Sequence, residues 1–133
     1  MANKMKLSMK GFEDMLERIR KAGGSIEKAA EAALVEGAKP FHEDLKKGIA
    51  KHHLTGLTEK ALQENKVKWE GNVATLEAGF KISKGGLPAL FIEYGTPKQK
   101  ADPFIRPAIE SNTPKARRIQ KQTLLKILEE LEK

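Results

Sequence analysis

Three histidines, His42, His52 and His53, and one carboxylate in an apolar setting, Glu93, are the residues of this chain whose types could do chemistry. Imidazoles ligate metals or move protons, and a carboxylate among apolar neighbours can act as a general base. The spacing argues against both uses. Adjacent residues on a helix point about 100° apart, so His52 and His53 make a poor two-ligand metal site. Glu93 stands between Ile92 and Tyr94 with no helper group in view; its structural use would be to cap a backbone turn or to pair with a base such as Arg106. Ser83-Lys84-Gly85-Gly86 has glycines and a lysine but not the G-x-x-x-x-G-K-[ST] spacing that wraps a phosphate. Cysteine is absent, which removes thiolate catalysis, disulfides and zinc–thiolate sites together. The chain therefore reads as a non-enzyme with no cofactor and no metal; a hydrolase or nuclease working through Glu93 and the histidines is the enzymatic alternative.

These residues must be positioned by one domain, since 133 residues suffice for one core but not two. With 39% apolar, 32% charged and only 5% aromatic residues, that core must be built mainly from Leu, Ile, Val, Ala and Met. No apolar run approaches the roughly 20 residues needed to span a bilayer, and the opening MANKMKLSMK lacks the apolar stretch of a signal peptide. No membrane partner is expected. The net charge is +7, and between Gly95 and Leu128 eight basic residues face only Asp102 and Glu110. Such an excess suits a polyanion or an acidic protein surface. Lys98, Lys100, Arg117, Arg118 and Lys121 are the candidates for facing DNA, and a solvated lysine-rich face is the plain alternative. Few aromatics interleave with these charges, which disfavours base stacking of the single-strand-binding kind.

Met5, Leu7 and Met9 alternate with polar residues, a short strand signal, and Phe12, Met15, Leu16 and Ile19 then recur at helical spacing up to Gly23-Gly24. Ser25 is placed to cap a long amphipathic helix with Ile26, Ala30, Ala33, Leu34, Phe41, Leu45 and Ile49 on one stripe. Pro40 should kink this helix, and Thr55-Gly56 should end it. Val67 and Trp69, then Ala74, Leu76, Ala78, Phe80 and Ile82, alternate with polar residues about Gly71-Asn72. A two-residue loop there pairs Glu70 with Val73, Trp69 with Ala74 and Val67 with Leu76, so the apolar faces match. Residues 83–86 read as a loop, 88–93 as a short helix and 104–111 as a further turn or two. Thr113-Pro114 then reads as the cap of a last helix carrying Ile119, Leu124, Ile127, Leu128 and Leu131. In that helix Lys115, Arg117 and Arg118 sit near the positive end and Glu129, Glu130 and Glu132 near the negative end, against the macrodipole. The sum predicts an α+β fold: an antiparallel sheet of three to four strands with a β-hairpin, packed against a long kinked helix and a C-terminal helix. Residues 1–4 and 95–102 are expected to be mobile.

The least ordinary stretch is LFIEYGTPKQKADPFIRPAIE, residues 90–110. Gly95 allows a sharp reversal, and Pro97 keeps Thr96 from helical angles. Pro103 and Pro107 fix φ on both sides of Phe104 and Arg106. Phe104 suits an apolar anchor and Arg106 a two-pronged carboxylate contact. Equally, Phe104 could belong to the protein's own core and Arg106 could pair with Glu93 or Glu110. The pattern resembles the signature of the tail-completion, or head–tail joining, proteins of long-tailed bacteriophages and prophages. Phe91, Glu93, Tyr94, Gly95 and Thr96 match its first half, and Pro103, Phe104, Arg106, Pro107 and Ala108 its second. Leu57-Thr58-Glu59-Lys60 departs from the family's continuation after Thr-Gly. The resemblance implies a structural virion protein of the tail and neck, present in the host cytoplasm during assembly, that completes the tail and joins it to the head. It implies head–tail connector and tail proteins as partners, a homo-oligomeric ring of six copies in the virion with an isolated monomer, and non-specific DNA contact at most. Glu93, Tyr94, Gly95, Thr96, Pro103, Phe104, Arg106 and Pro107 become the expected subunit interface, and Arg106→Glu is expected to leave the fold intact while abolishing joining. A small basic nucleic-acid-binding module remains the alternative.

Overall fold

The computed structural model describes residues 4–51, 66–80, 87–98 and 100–133. Its elements run β1 (Lys4–Ser8), α1 (Glu13–Lys21), α2 (Ile26–Ala50), β2 (Val67–Glu70), β3 (Val73–Gly79), α3 (Leu87–Tyr94) and α4 (Ile105–Leu131). The three strands form one antiparallel sheet in the order β1-β3-β2, so the fold is α+β as the patterning predicts.

The hairpin has the register that residue alternation alone demands. Val67 pairs with Leu76, Trp69 with Ala74 and Glu70 with Val73, with Gly71 at φ 61° closing the reversal. β1 joins the other side of β3, setting Met5 opposite Ala78 and Leu7 opposite Leu76. One face of the sheet is therefore apolar and packs on α2, where Ala30, Ala33, Leu34, Phe41, Leu45 and Ile49 are all buried. The Ser25 hydroxyl accepts the Lys28 N–H at 3.2 Å and caps α2. The helix passes Pro40 without ending, because the buried stripe resumes at Phe41 and offsets the missing bond.

α4 corrects the sequence reading. No helix starts at Thr113-Pro114; one helix runs from Ile105 to Leu131 with Pro114 inside it. Its buried stripe is Ile105, Ala108, Asn112, Ala116, Gln120, Leu124 and Leu128, an unbroken 3–4 spacing that lies along α2 in the most extensive contact between helices. Burial of that face overrides the proline signal. Thr113 turns its hydroxyl back onto the Ile109 carbonyl at 2.7 Å instead of capping. Two polar residues within the stripe made it hard to read. Asn112 donates to Asp44 on α2 at 2.7 Å and to the Ala108 carbonyl at 2.8 Å, and Gln120 donates to the Ser8 carbonyl at 2.8 Å. Lys115, Arg117 and Arg118 consequently lie in mid-helix, well beyond the first turn where the dipole acts, and only the C-terminal glutamates oppose it. The helices approach closely where side chains are small: a Cβ on Gly37 would lie 3.2 Å from the Ala116 carbonyl oxygen.

Thr55-Gly56, residues 57–60, His52 and His53, Ile82 and the 83–86 loop lie outside the described residues. Among the described residues, no helix is long and apolar enough to cross a membrane.

A candidate subunit interface at the α3–α4 knuckle

α3 and α4 are joined by a tight knuckle made from the unusual stretch. α3 ends because Gly95 adopts φ +80° and its N–H returns to the Phe91 carbonyl at 2.8 Å, a left-handed C-terminal cap. The next exposed carbonyl, that of Ile92, accepts the Asp102 N–H at 2.8 Å, which draws the far end of the loop back onto α3. Any Cβ on Gly95 would sit 2.9 Å from the Ala101 nitrogen, so space as well as conformation calls for glycine.

The start of α4 is held by one residue. Glu93 is fully buried. One of its oxygens accepts the N–H groups of Phe104 and Ile105, each at 2.7 Å. The other accepts the Arg106 N–H at 3.0 Å and the Arg106 Nε at 2.8 Å. A helix begins with N–H groups that no preceding turn can satisfy. Here Phe104 offers no side-chain cap, Pro107 has no N–H to satisfy, and Glu93 takes the remaining donors. The carboxylate also lies at the positive end of the helix dipole. Burial alone would push the Glu93 carboxyl up, but the N–H groups of Ile105, Arg106 and Phe104, with the guanidinium, outweigh it and hold the group below its ordinary value.

Of the two structural uses open to Glu93 in the sequence, capping a turn and pairing with Arg106, it performs both at once. The assignment of Glu93 to a subunit surface is corrected: with no exposed area, it supports the surface from behind. The same contacts leave it no open lone pair aimed at solvent for use as a general base. Phe104 takes the core packing that the sequence left open for it. It is half-buried, meets Phe80 edge-on at 6.1 Å between ring centres, and rests on Gly48, where any Cβ would overlap its ring. It anchors α4 to the protein's own core. Arg106 is paired internally with Glu93, not Glu110, yet its side chain stays 49% exposed and stacks on the Tyr94 ring at 5.2 Å. Arg106→Glu would set a second carboxylate beside a buried one, so the expectation that it spares the fold is withdrawn.

The exposed residues of the knuckle are Phe91, 48% exposed, Pro97, Lys98, Lys100, Pro103, Arg106 and Pro107; Tyr94, Gly95 and Thr96 are partly covered. Phe91 is the surface residue the interface assignment missed. The signal was available: Ala89, Ile92 and Glu93 form the buried face of α3 at 3–4 spacing, which leaves position 91 off that face.

The candidate DNA-facing residues do not converge. Arg117 is used internally: its guanidinium binds the carbonyls of Ser8 and Lys10 and lies over the Phe12 ring at 4.4 Å, fastening the turn between β1 and α1. Arg118 and Lys121 are exposed, but they stand about 20 Å along α4 from the knuckle that carries Lys98 and Lys100, at 1.5 Å per residue. His42 is part-buried on α2. Among the described residues, no group of three acidic or imidazole side chains could hold a metal. Comparison of the chain with protein-family models, curated proteins and solved structures finds no match in any of the three.

Proposed function

We propose that the protein is a structural component of a long-tailed phage or prophage particle, completing the tail and joining it to the head as a ring subunit. The observation that carries the reading is the knuckle: a buried glutamate and a left-handed glycine tie both ends of the connection between α3 and α4, whose exposed residues include a phenylalanine, a guanidinium and lysines. A surface whose backbone is already tied down loses less entropy on docking, and exposed aromatic and arginine side chains are enriched at energetic hot spots. The signature residues and this geometry explain each other, since the spacing from Glu93 to Phe104–Arg106 is what lets the carboxylate meet the first turn of α4. Among its described residues the knuckle pairs no nucleophile with a base, and the role proposed is attachment without reaction.

Complementation tests this directly. Particles assembled without the protein should contain filled heads and separate, finished tails under negative stain, and wild-type protein should restore joining. Phe91→Ser, which removes an exposed ring and leaves the core alone, should fail to restore it while keeping the wild-type circular dichroism spectrum. Tails that never polymerise, or heads that never fill, would assign the protein to a different step.

A further inference from the structure

A second surface is opposite to the knuckle in charge. α1, the start of α2 and the hairpin enclose an open groove of about 620 Å³ lined by Glu13, Leu16, Glu17, Ile26, Glu27, Glu31, Trp69, Gly71 and Asn72. Its floor is apolar: Leu16, Ile26 and the Trp69 indole are all part-buried, and the indole N–H is held by Glu31 at 2.8 Å. Four carboxylates stand on its walls and no basic residue lines it, in a chain whose net charge is +7. Glu17 is paired with Arg20; Glu13 accepts the Gly11 N–H, Glu27 the Ser25 hydroxyl and Glu31 the indole, and these three have no ion-pair partner among the described residues. An apolar floor with acidic walls accepts an apolar ring flanked by cations. The knuckle supplies both chemistries on exposed residues close in sequence, Phe91 on α3 and Lys98 and Lys100 on the loop that follows it.

We infer that the groove receives the knuckle of a second copy of this chain, with Phe91 placed against Trp69, Leu16 and Ile26 and its lysines against Glu13, Glu17 and Glu27. The inference rests on the reading of the protein as a ring subunit, and it names which surface of a neighbour the knuckle engages. Knuckle and groove are different surfaces built from different elements, so the contact is head-to-tail, and each copy bound leaves one knuckle and one groove open for the next.

Trp69 is the chain's single tryptophan, so its fluorescence reports the groove alone. The experiment mixes two full-length variants. Phe91→Asp has an intact groove and an emitting Trp69 but a disabled knuckle. Trp69→Phe with Glu27→Gln has an intact knuckle but a weakened, dark groove. Titrating the dark variant into the emitting one should shift Trp69 emission to the blue as the neighbour's ring covers the indole, with saturation below about 1 mM. Raising the salt to about 0.5 M should weaken the shift several-fold. No shift up to that concentration, with both variants folded by circular dichroism, overturns the inference. So does an unchanged shift when the dark partner also carries Phe91→Asp, since the covering group is then something other than the knuckle. A shift seen in solution while particles join normally without the protein would preserve this contact and remove the head–tail role; joining that survives Glu13→Gln with Glu27→Gln would do the reverse.

Discussion

The chain reverses direction at Gly71-Asn72 and again at Gly95–Asp102, and the two reversals are held by opposite means. In the hairpin, the bonds run backbone to backbone along β2 and β3, and no side chain is responsible for more than its own contacts. In the knuckle, two backbone bonds close the loop onto α3, but the start of α4 hangs on one side chain: the carboxylate of Glu93 takes three backbone N–H groups and a guanidinium. A distributed ladder tolerates the loss of any member, whereas a single buried hub does not. The second arrangement is worth its vulnerability where a loop must keep one shape with its outer side free for a partner, because the carboxylate at its centre lies behind the surface.

Glu93→Ala is the sharpest way to break that contrast. It leaves the first turn of α4 with buried, unsatisfied donors and Arg106 without its partner, and should lower stability by about 3–5 kcal/mol, a large share of a small domain's total. Chemical denaturation of the variant, set beside Val73→Ala in the hairpin, whose side chain is 59% exposed and whose loss should cost under about 1 kcal/mol, measures the difference. Equal costs for the two would mean that the hub is not a hub.

Glu93→Gln keeps an acceptor in place but removes the charge, and should cost about 1.5–3 kcal/mol at neutral pH. The same variant sharpens the acid response. Because the Glu93 carboxyl is held below its ordinary value of 4.5 in the folded chain, the unfolded chain binds the proton first as pH falls. Its stabilisation is thus complete above pH 4.5 and is lost as pH drops through the lower, folded value. Thermal unfolding at a series of pH values should show this slope in the wild type and a shallower one in the glutamine variant.

The glycines at the two reversals separate conformation from crowding. Gly95→Ala meets both a left-handed backbone and the Ala101 nitrogen at 2.9 Å, and should cost about 2–3 kcal/mol. Gly71→Ala meets the left-handed backbone alone, with nothing within 4 Å of the added carbon, and should cost about 1 kcal/mol. Denaturant midpoints for the pair test the ordering. Phe91→Ser should have the smallest effect on stability, within about 0.5 kcal/mol, because nearly half of the ring is already in water. Any loss of the proposed joining role in this variant would then be a property of the surface and not of the fold.

The hairpin was legible from residue types because strand register is a local matter: alternation and a two-residue loop leave a single pairing that buries one face. The Ser25 cap and the stripe of α2 were legible for the same reason, each being encoded within a few residues. The start of α4 was not. Thr113-Pro114 carries a good local start signal, and only the packing of residues 105–131 along α2 overrules it, with Asn112 and Gln120 sitting in the buried stripe where a periodic reading expects apolar side chains.

By itself the sequence determined the strand pairing, the class of fold, the make-up of the core and the stiffness of the chain around Phe104 and Arg106, all of which follow from backbone restriction and short-range periodicity. Tertiary structure alone decided which way those side chains face. Phe104 turned inward because Gly48 on α2 leaves room for a ring, Glu93 was buried because the first turn of α4 needed an acceptor, and Phe91 was left outside because the core face of α3 was already filled by Ala89, Ile92 and Glu93. Each of these choices depends on residues distant along the chain, and no local pattern carries that information.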